Sequence, residues 1–203
     1  MTPNSLVFKY RGFVGMICLG SVGLAVAFSF PLVEDGTFLD ITGNALGWLC
    51  FMLYVTFRLW ATLYIGGRKD KELQTQGPYS ITRNPLYFGS FCFALSTAFF
   101  LKSFSLLMAT LITAVIYSRW VIAFEEQVLE KAFGAAFHDY VQKVPRFLPR
   151  LSHYQAHSSV ELELQAMKNE AKRIWIASLL PAFAGSLMQL RMADWWPHWF
   201  TLP

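Results

Sequence analysis

Gly77-Pro78-Tyr79-Ser80-Ile81-Thr82-Arg83-Asn84-Pro85-Leu86-Tyr87-Phe88-Gly89 is the stretch on which the reading of this chain turns. Gly77-Pro78 marks a turn after a basic loop. Pro85 pushes Asn84 toward extended geometry, so no regular helix passes through Arg83-Asn84-Pro85. Proline is favoured at a first helical position, so Pro85 starts the apolar helix that follows. Backbone amides near a helix start hold an anion such as a carboxylate, and Arg83 adds a fixed positive charge. Tyr79 and Tyr87 supply rings that stack on an adenine or pack against a sulfonium. Taken as composition alone, the same stretch also fits an interfacial turn with aromatic anchors and a snorkelling arginine.

A second polar stretch answers the first. It runs Glu125-Glu126-Gln127-Val128-Leu129, then Phe133-Gly134, Tyr140 and Val144-Pro145-Arg146-Phe147-Leu148-Pro149. Between the two lie about 35 residues, nearly all apolar, enough for a membrane hairpin that returns both polar feet to one side of the bilayer. Acids at a helix C-terminus oppose the helix dipole, so either the helix continues past Glu125-Glu126 or the acids have a ligand. Arg119 stands seven residues before Glu126, which places both on one face of a regular helix. Leu129, Phe133, Phe137 and Tyr140 recur at helical spacing and read as packing. Val144-Pro145 and Leu148-Pro149 end the helix and make an extended strap, from which Arg146 reaches toward the site.

Composition sets the class. Of 203 residues, 55% are hydrophobic and only 15% charged, against the ~25% charge of soluble domains. The net charge of +4 does not point to nucleic acid. Cys18, Cys50 and Cys92 sit singly in apolar runs, which excludes a disulfide framework. His153 and His157 are four apart with no third ligand in view, so no metal site is expected.

Five spans are readable, at about 13–31, 45–65, 87–101, 104–124 and 174–190. Ala25-Val26-Ala27 mimics a signal cleavage site, but the apolar run continues for ~20 residues and reads as an uncleaved first helix. The third and fifth spans are short, and Pro181 kinks the fifth. Lysine and arginine alternate between loops. Lys9 and Arg11, then Arg68, Lys69, Lys71 and Arg83, then the segment from Lys131 to Arg173 share one side, which places the N-terminus and both polar stretches in the cytoplasm. Arg58 lies ~12 Å deep in the second span. An intramembrane charge is a functional candidate, and Glu125 or Glu126 is its expected partner. Ser158-Ser159-Val160-Glu161 fits a capping box for a polar helix running into the last span. Trp195, Trp196 and Trp199 read as an interfacial anchor.

Together these residues resemble the isoprenylcysteine carboxyl methyltransferase family and its phospholipid methyltransferase relatives. Gly77, Tyr79, Arg83, Pro85, Tyr87, Gly89, Glu125, Glu126, Leu129, Phe133, Gly134, Tyr140, Val144, Pro145 and Pro149 fall in register with the family pattern over about Leu73–Pro149. Asn84 stands where the family usually has histidine. Asparagine keeps hydrogen bonding but cannot act as a base. Phe137 stands where tyrosine is frequent, and ~50 residues follow where the family core usually ends.

The resemblance implies an all-α integral membrane protein of about five transmembrane helices. Its cytoplasmic cofactor site would be formed by the third and fourth spans with the following helix and strap. It implies three regions: N-terminal membrane helices (1–72), a methyltransferase core (73–150) and a polar helix with an additional membrane helix (151–203). The cofactor would be S-adenosylmethionine, leaving S-adenosylhomocysteine. Tyr79, Arg83, Asn84, Pro85, Tyr87, Gly89 and Glu125 would surround it, with Glu126 and Arg146 nearer the methyl acceptor as catalytic residues. The acceptor would be lipid-like and enter from the bilayer, a carboxylate of isoprenylcysteine type ahead of a phospholipid amine. The membrane would be a bacterial inner membrane or the endoplasmic reticulum. A sterol-type reductase using NADPH and a membrane scaffold that keeps the fold without activity are the competing readings.

Overall fold

The computed structural model describes residues 6–67, 72–156, 160 and 162–202, with backbone alone at 6–14 and 16. Apart from an isolated parallel bridge between Ser29 and Phe200, the regular structure among the described residues is helical. Arg68, Lys69, Lys71, His157, Ser158, Ser159 and Glu161, which the charge and capping arguments used, lie outside the described residues, as do the side chains of Lys9 and Arg11.

Helix α1 is Leu6–Ala27 and α2 is Phe38–Ile65. The first therefore ends four residues short of Pro31, and the second begins seven residues before its expected start. The apolar run alone did not show that Thr37, whose hydroxyl accepts from the Asp40 amide at 3.3 Å, opens α2 early. A one-turn helix α3, Pro78–Ile81, follows. Gly77 precedes it at φ 58°, and a Cβ there would run into the Tyr64 ring. Both the left-handed backbone and the ring contact require glycine. Helix α4 is Pro85–Phe100, with Pro85 at its first position.

Ser103 caps α5, Phe104–Ile116, accepting the Leu106 amide at 3.2 Å. A π turn at Tyr117–Val121 then leads directly into α6, Ile122–Phe133. The fourth helix thus runs well past Phe124, and Glu125 and Glu126 lie inside it rather than at its end. Gly134, at φ 52°, separates α6 from α7, Ala135–Lys143. Val144 is extended, and the strap begins there. After a 3-10 turn at Leu151–His153 come α8, Leu164–Ala177, and α9, Leu180–Arg191. Pro181 stands in the first turn of α9, so proline divides this segment into two helices, a stronger effect than a kink.

Among the described residues, three helical stretches are long and apolar enough to cross a membrane: Phe38–Ile65, Phe104–Phe133 and Leu164–Arg191. Ile17–Ala27 and Pro85–Phe100 are shorter apolar helices.

The chain divides into two compact units. One comprises residues 1–52, 92–117 and 178–203. Here α1 packs on α5. Arg191 is buried with no carboxylate partner among the described residues, its donors going to the carbonyls of Ser29, Phe30 and Leu101 and to the Ser29 hydroxyl. Phe28 stacks with Trp196 and Trp199, and the Trp196 indole donates to the Ala27 carbonyl at 2.9 Å. Trp196 is thus a packing residue, while Trp195 and Trp199 stay exposed.

The other unit comprises residues 53–91 and 118–177 and holds both polar stretches. Ala61, Tyr64 and Tyr79 form one small core, and Phe137, Tyr140 and Val144 another, with Leu129 and Phe133 against it. The stripe read as packing does pack, although Gly134 breaks its helix.

Candidate active site

The strap is fastened to the first polar stretch by a ladder of hydrogen bonds. The Arg83 amide donates to the Pro145 carbonyl at 2.9 Å. The Asn84 side-chain amide donates to the Arg146 carbonyl at 2.9 Å. The Thr82 hydroxyl donates to the Phe147 carbonyl at 3.0 Å. The Arg150 amide donates to the Ile81 carbonyl at 2.9 Å. Two prolines keep the strap out of helix; it bends at residues 146–148, and residues 82–84, themselves held out of helix by Pro85, meet its carbonyls. Phe147 packs edge-on against Phe88 and Phe91 of α4.

This ladder brings Arg83, Glu126 and Arg146 together. Glu126, on α6, is only 12% exposed. Arg83 Nη1 stands 3.4 Å from its Oε1. Arg146 grips Oε2 with Nε, at 2.9 Å, and with Nη2, while its Nη1 donates to the Ser118 carbonyl at 3.4 Å. A carboxylate between two guanidiniums leaves one net positive charge in a half-buried place, which suits an anionic ligand.

Several polar atoms in this unit are buried without a hydrogen-bond partner among the described residues: Gln76 Oε1, Tyr79 Oη, Arg83 Nε and Glu126 Oε1. Orphaned groups of this kind are rare in native interiors and point to a ligand or water. Three of them belong to expected site residues. A zwitterionic ligand offering a carboxylate to Arg83 and a donor to Glu126 and Tyr79 fits the set.

Burial shapes the titration of the same groups. It pushes the Tyr79 phenol well above its usual range, with Tyr140 adding to the rise. Burial likewise raises Tyr140, whose hydroxyl donates to the Tyr79 carbonyl at 2.7 Å. Burial pulls the Arg83 guanidinium down, against the opposing charge of Glu126.

The other expected residues fall as follows. Pro85 is buried at the start of α4, and Tyr87 is half-buried two residues on. Glu125 is half-buried on α6, and its charge reaches Tyr79. Gly89 is buried where a Cβ would come within 3.0 Å of Arg58 Cγ and 3.4 Å of Phe57 Cβ, so its absent side chain lets α2 and α4 approach. A cavity of about 740 Å³ in this unit is lined by Ser80, Tyr140, Lys143, Tyr154 and others, but by none of the nine expected residues.

One pairing expected from sequence is replaced, and one expected shared face is altered. Arg58 is not partnered by Glu125 or Glu126. It forks onto Glu170 of α8, with Nε–Oε1 at 2.5 Å and Nη2–Oε2 at 2.7 Å. Arg119 lies in the π turn at Tyr117–Val121, where the regular 3.6-residue phase that aligned it with Glu126 does not apply, and it is exposed. Thr82, Tyr140 and Glu170 carry roles that the sequence did not announce. Tyr140 alone had a signal, its place in register with the family pattern.

Comparison with known proteins places the chain among relatives. The phospholipid methyltransferase family profile matches residues 36–136. The chain is 30% identical over 170 residues to the nickel-cobalt-cadmium resistance protein NccN of Alcaligenes xylosoxydans xylosoxydans, covering 83% of this chain and 79% of that protein. It is 33% identical over 146 residues to the cobalt-zinc-cadmium resistance protein CzcN of Cupriavidus metallidurans, covering 71% and 67%. It is 33% identical over 117 residues to protein-S-isoprenylcysteine O-methyltransferase of Schizosaccharomyces pombe, covering 52% of this chain and about half, 48%, of that enzyme. No solved structure matches.

Proposed function

The chain belongs to the membrane methyltransferase family of the phospholipid and isoprenylcysteine enzymes, and from that premise we propose that it moves a methyl group from S-adenosylmethionine to a lipid-like acceptor. The observation that carries this reading is the Arg83–Glu126–Arg146 cluster with its orphaned buried atoms.

Bound S-adenosylmethionine supplies a methyl on a positively charged sulfur, open to in-line displacement. Arg83 would hold the carboxylate of its amino-acid end. Glu126 and the Tyr79 hydroxyl would take the ammonium and ribose side, and Tyr87 would pack beside the ring system. Asn84 and Pro85 would act through the backbone, fixing the strap and the start of α4. Glu125 would add negative charge beside Tyr79. The residues mainly position the reactants and exclude water.

A carboxylate of isoprenylcysteine type is the acceptor this cluster favours. Such a group is ionised at pH 7 and needs no base, which suits a site whose central carboxylate is engaged by two guanidiniums. Arg146, 36% exposed on the strap, would orient it, and an apolar tail would lie along the bilayer. A phospholipid amine would instead need Glu126 as base. The cytoplasmic orientation, the five spans and a bacterial inner membrane or endoplasmic reticulum location belong to the same proposal. The names of NccN and CzcN add a context, a methylation that serves resistance to divalent metals.

The test is transfer of labelled methyl from S-adenosylmethionine into lipid extracts and prenylcysteine analogues by the purified chain. Base-labile label in the apolar fraction is expected, as a methyl ester requires. Base-stable label would exclude a carboxylate and leave an amine or thiol acceptor, and no label in any apolar fraction would contradict the proposal.

A further inference from the structure

Glu170 lies on α8, beyond Pro149, in the part of the chain that the family pattern does not cover. Its side chain is 3% exposed, and that of Arg58, its partner on α2, is 16% exposed. Both carboxylate oxygens are taken by the guanidinium fork, at 2.5 and 2.7 Å. The same guanidinium gives Nη1 to the Ser90 hydroxyl at 3.4 Å. Its stem crosses Gly89, where Arg58 Cγ and Cδ stand 3.0 and 3.3 Å from the place of a Cβ.

Further along the pair, Glu163 and Ala166 lie against Gly66 and Gly67. Contacts 66 with 163–166 and 58 with 170 run in opposite order, so α8 lies antiparallel to the end of α2, fastened at two points. A planar fork also fixes direction, which an apolar contact at the same place would not do. Through Arg58 that direction reaches Gly89 and Ser90, two turns at most from Asn84 and Pro85. Arg58 is close enough to Tyr79 for its charge to be felt there together with that of Glu125.

We infer that Glu170 is a positioning residue of the methyl-transfer site. It holds Arg58 against Gly89 and Ser90 and so sets the first turns of α4, which carry Pro85 and Tyr87 and follow directly on Asn84. The C-terminal segment thereby becomes part of the site's support rather than an appendage. The functional half of this inference rests on the methyltransferase reading. The lock between α8, α2 and α4 does not.

The test uses the full chain in detergent, with Glu170→Gln, Arg58→Lys and the charge-reversed pair R58E/E170R. Amide hydrogen exchange is followed at residues 86–91, with α6 as the internal control, and S-adenosylhomocysteine binding is measured by calorimetry. Glu170→Gln is expected to speed exchange at 86–91 about tenfold with α6 unchanged, and to weaken binding about tenfold. The reversed pair is expected to return both toward wild type. Should Glu170→Gln fail to fold, Arg58→Lys carries the same test, since it keeps the charge and loses the fork. Unchanged exchange at 86–91 overturns the lock. Faster exchange with binding within twofold of wild type overturns the link to the site. A uniform rise in exchange along the chain without rescue reduces Glu170 to general stability. If the wild-type chain binds no S-adenosylhomocysteine, the methyltransferase reading itself fails, and the exchange measurement still decides the lock.

Discussion

Two carboxylates in this protein each stand between two arginines, and their surroundings differ. Glu170 takes Arg58 on both oxygens and Arg173 at 3.2 Å on one of them, and neither it nor Arg58 has an orphaned side-chain atom. Glu126 takes Arg83 and Arg146, yet its Oε1 lacks a hydrogen bond, as do Arg83 Nε and the nearby Tyr79 hydroxyl. A saturated ion pair holds structure. An unsaturated one has capacity left for a ligand, at the cost of desolvated groups in its absence. The same two residue types thus give a lock on α8 and a candidate site on α6, and what separates them is the count of satisfied donors and acceptors.

The widest gap between the two clusters should appear when each loses an arginine. Arg58→Ala leaves Glu170 buried without its main partner, which should cost about 3–5 kcal/mol of stability, read as a lowered thermal or denaturant midpoint. Arg83→Ala should leave that midpoint nearly unmoved and instead weaken S-adenosylhomocysteine binding by about 1.5–3 kcal/mol, the usual loss for a charge-assisted hydrogen bond. If the two variants exchanged phenotypes, the assignment of lock and site would be reversed.

A smaller effect sharpens the boundary between them. Tyr140→Phe removes the hydrogen bond to the Tyr79 carbonyl and should cost about 1 kcal/mol. Its pH signature is specific. Burial raises the Tyr140 phenol above its ordinary 10.0 in the folded chain, so the unfolded chain ionises first. Stability is therefore full below pH ~10 and falls as pH rises past it, and Tyr140→Phe should flatten that alkaline fall in a melting series. An unchanged slope would mean that Tyr79 or another group carries it.

Smallest of all, Asn84→Ala should cost about 0.5–1 kcal/mol by freeing the strap at the Arg146 carbonyl. Its readout is faster protease nicking at the strap, with the α8 lock untouched. A total loss of methyl transfer with an intact strap would instead give Asn84 a direct chemical part.

What the sequence disclosed follows the same division. Gly77, Pro85, Pro145 and Pro149 constrain their own backbone, so the break before α4 and the end of helix at the strap were readable locally, whereas the bends at residues 146–148 were not. Arg83 came from the first polar stretch and Glu126 and Arg146 from the second, and the apolar run between the stretches and the prolines beside Arg146 limited where they could meet. Arg58 was recognised as out of place in an apolar helix. Its partner was not, because Glu170 lies 112 residues away on a polar helix where a buried acid looks like any exposed one. The π turn was equally silent. Tyr117–Val121 has no proline or glycine, and a single extra residue in the helix shifts the phase of Arg119 against Glu126. Asn84 looked like a weakened histidine. It proved to be a backbone clamp, a role set by where the strap lies.

Binding of S-adenosylmethionine and S-adenosylhomocysteine to the purified full chain, by calorimetry with NADPH as control, tests the central claim most directly. Saturable binding of both, weakened at least about tenfold in Arg83→Ala and retained in Arg119→Ala, is the predicted result. No binding of either, or a preference for NADPH, would contradict the account and leave a methyltransferase fold serving some other chemistry.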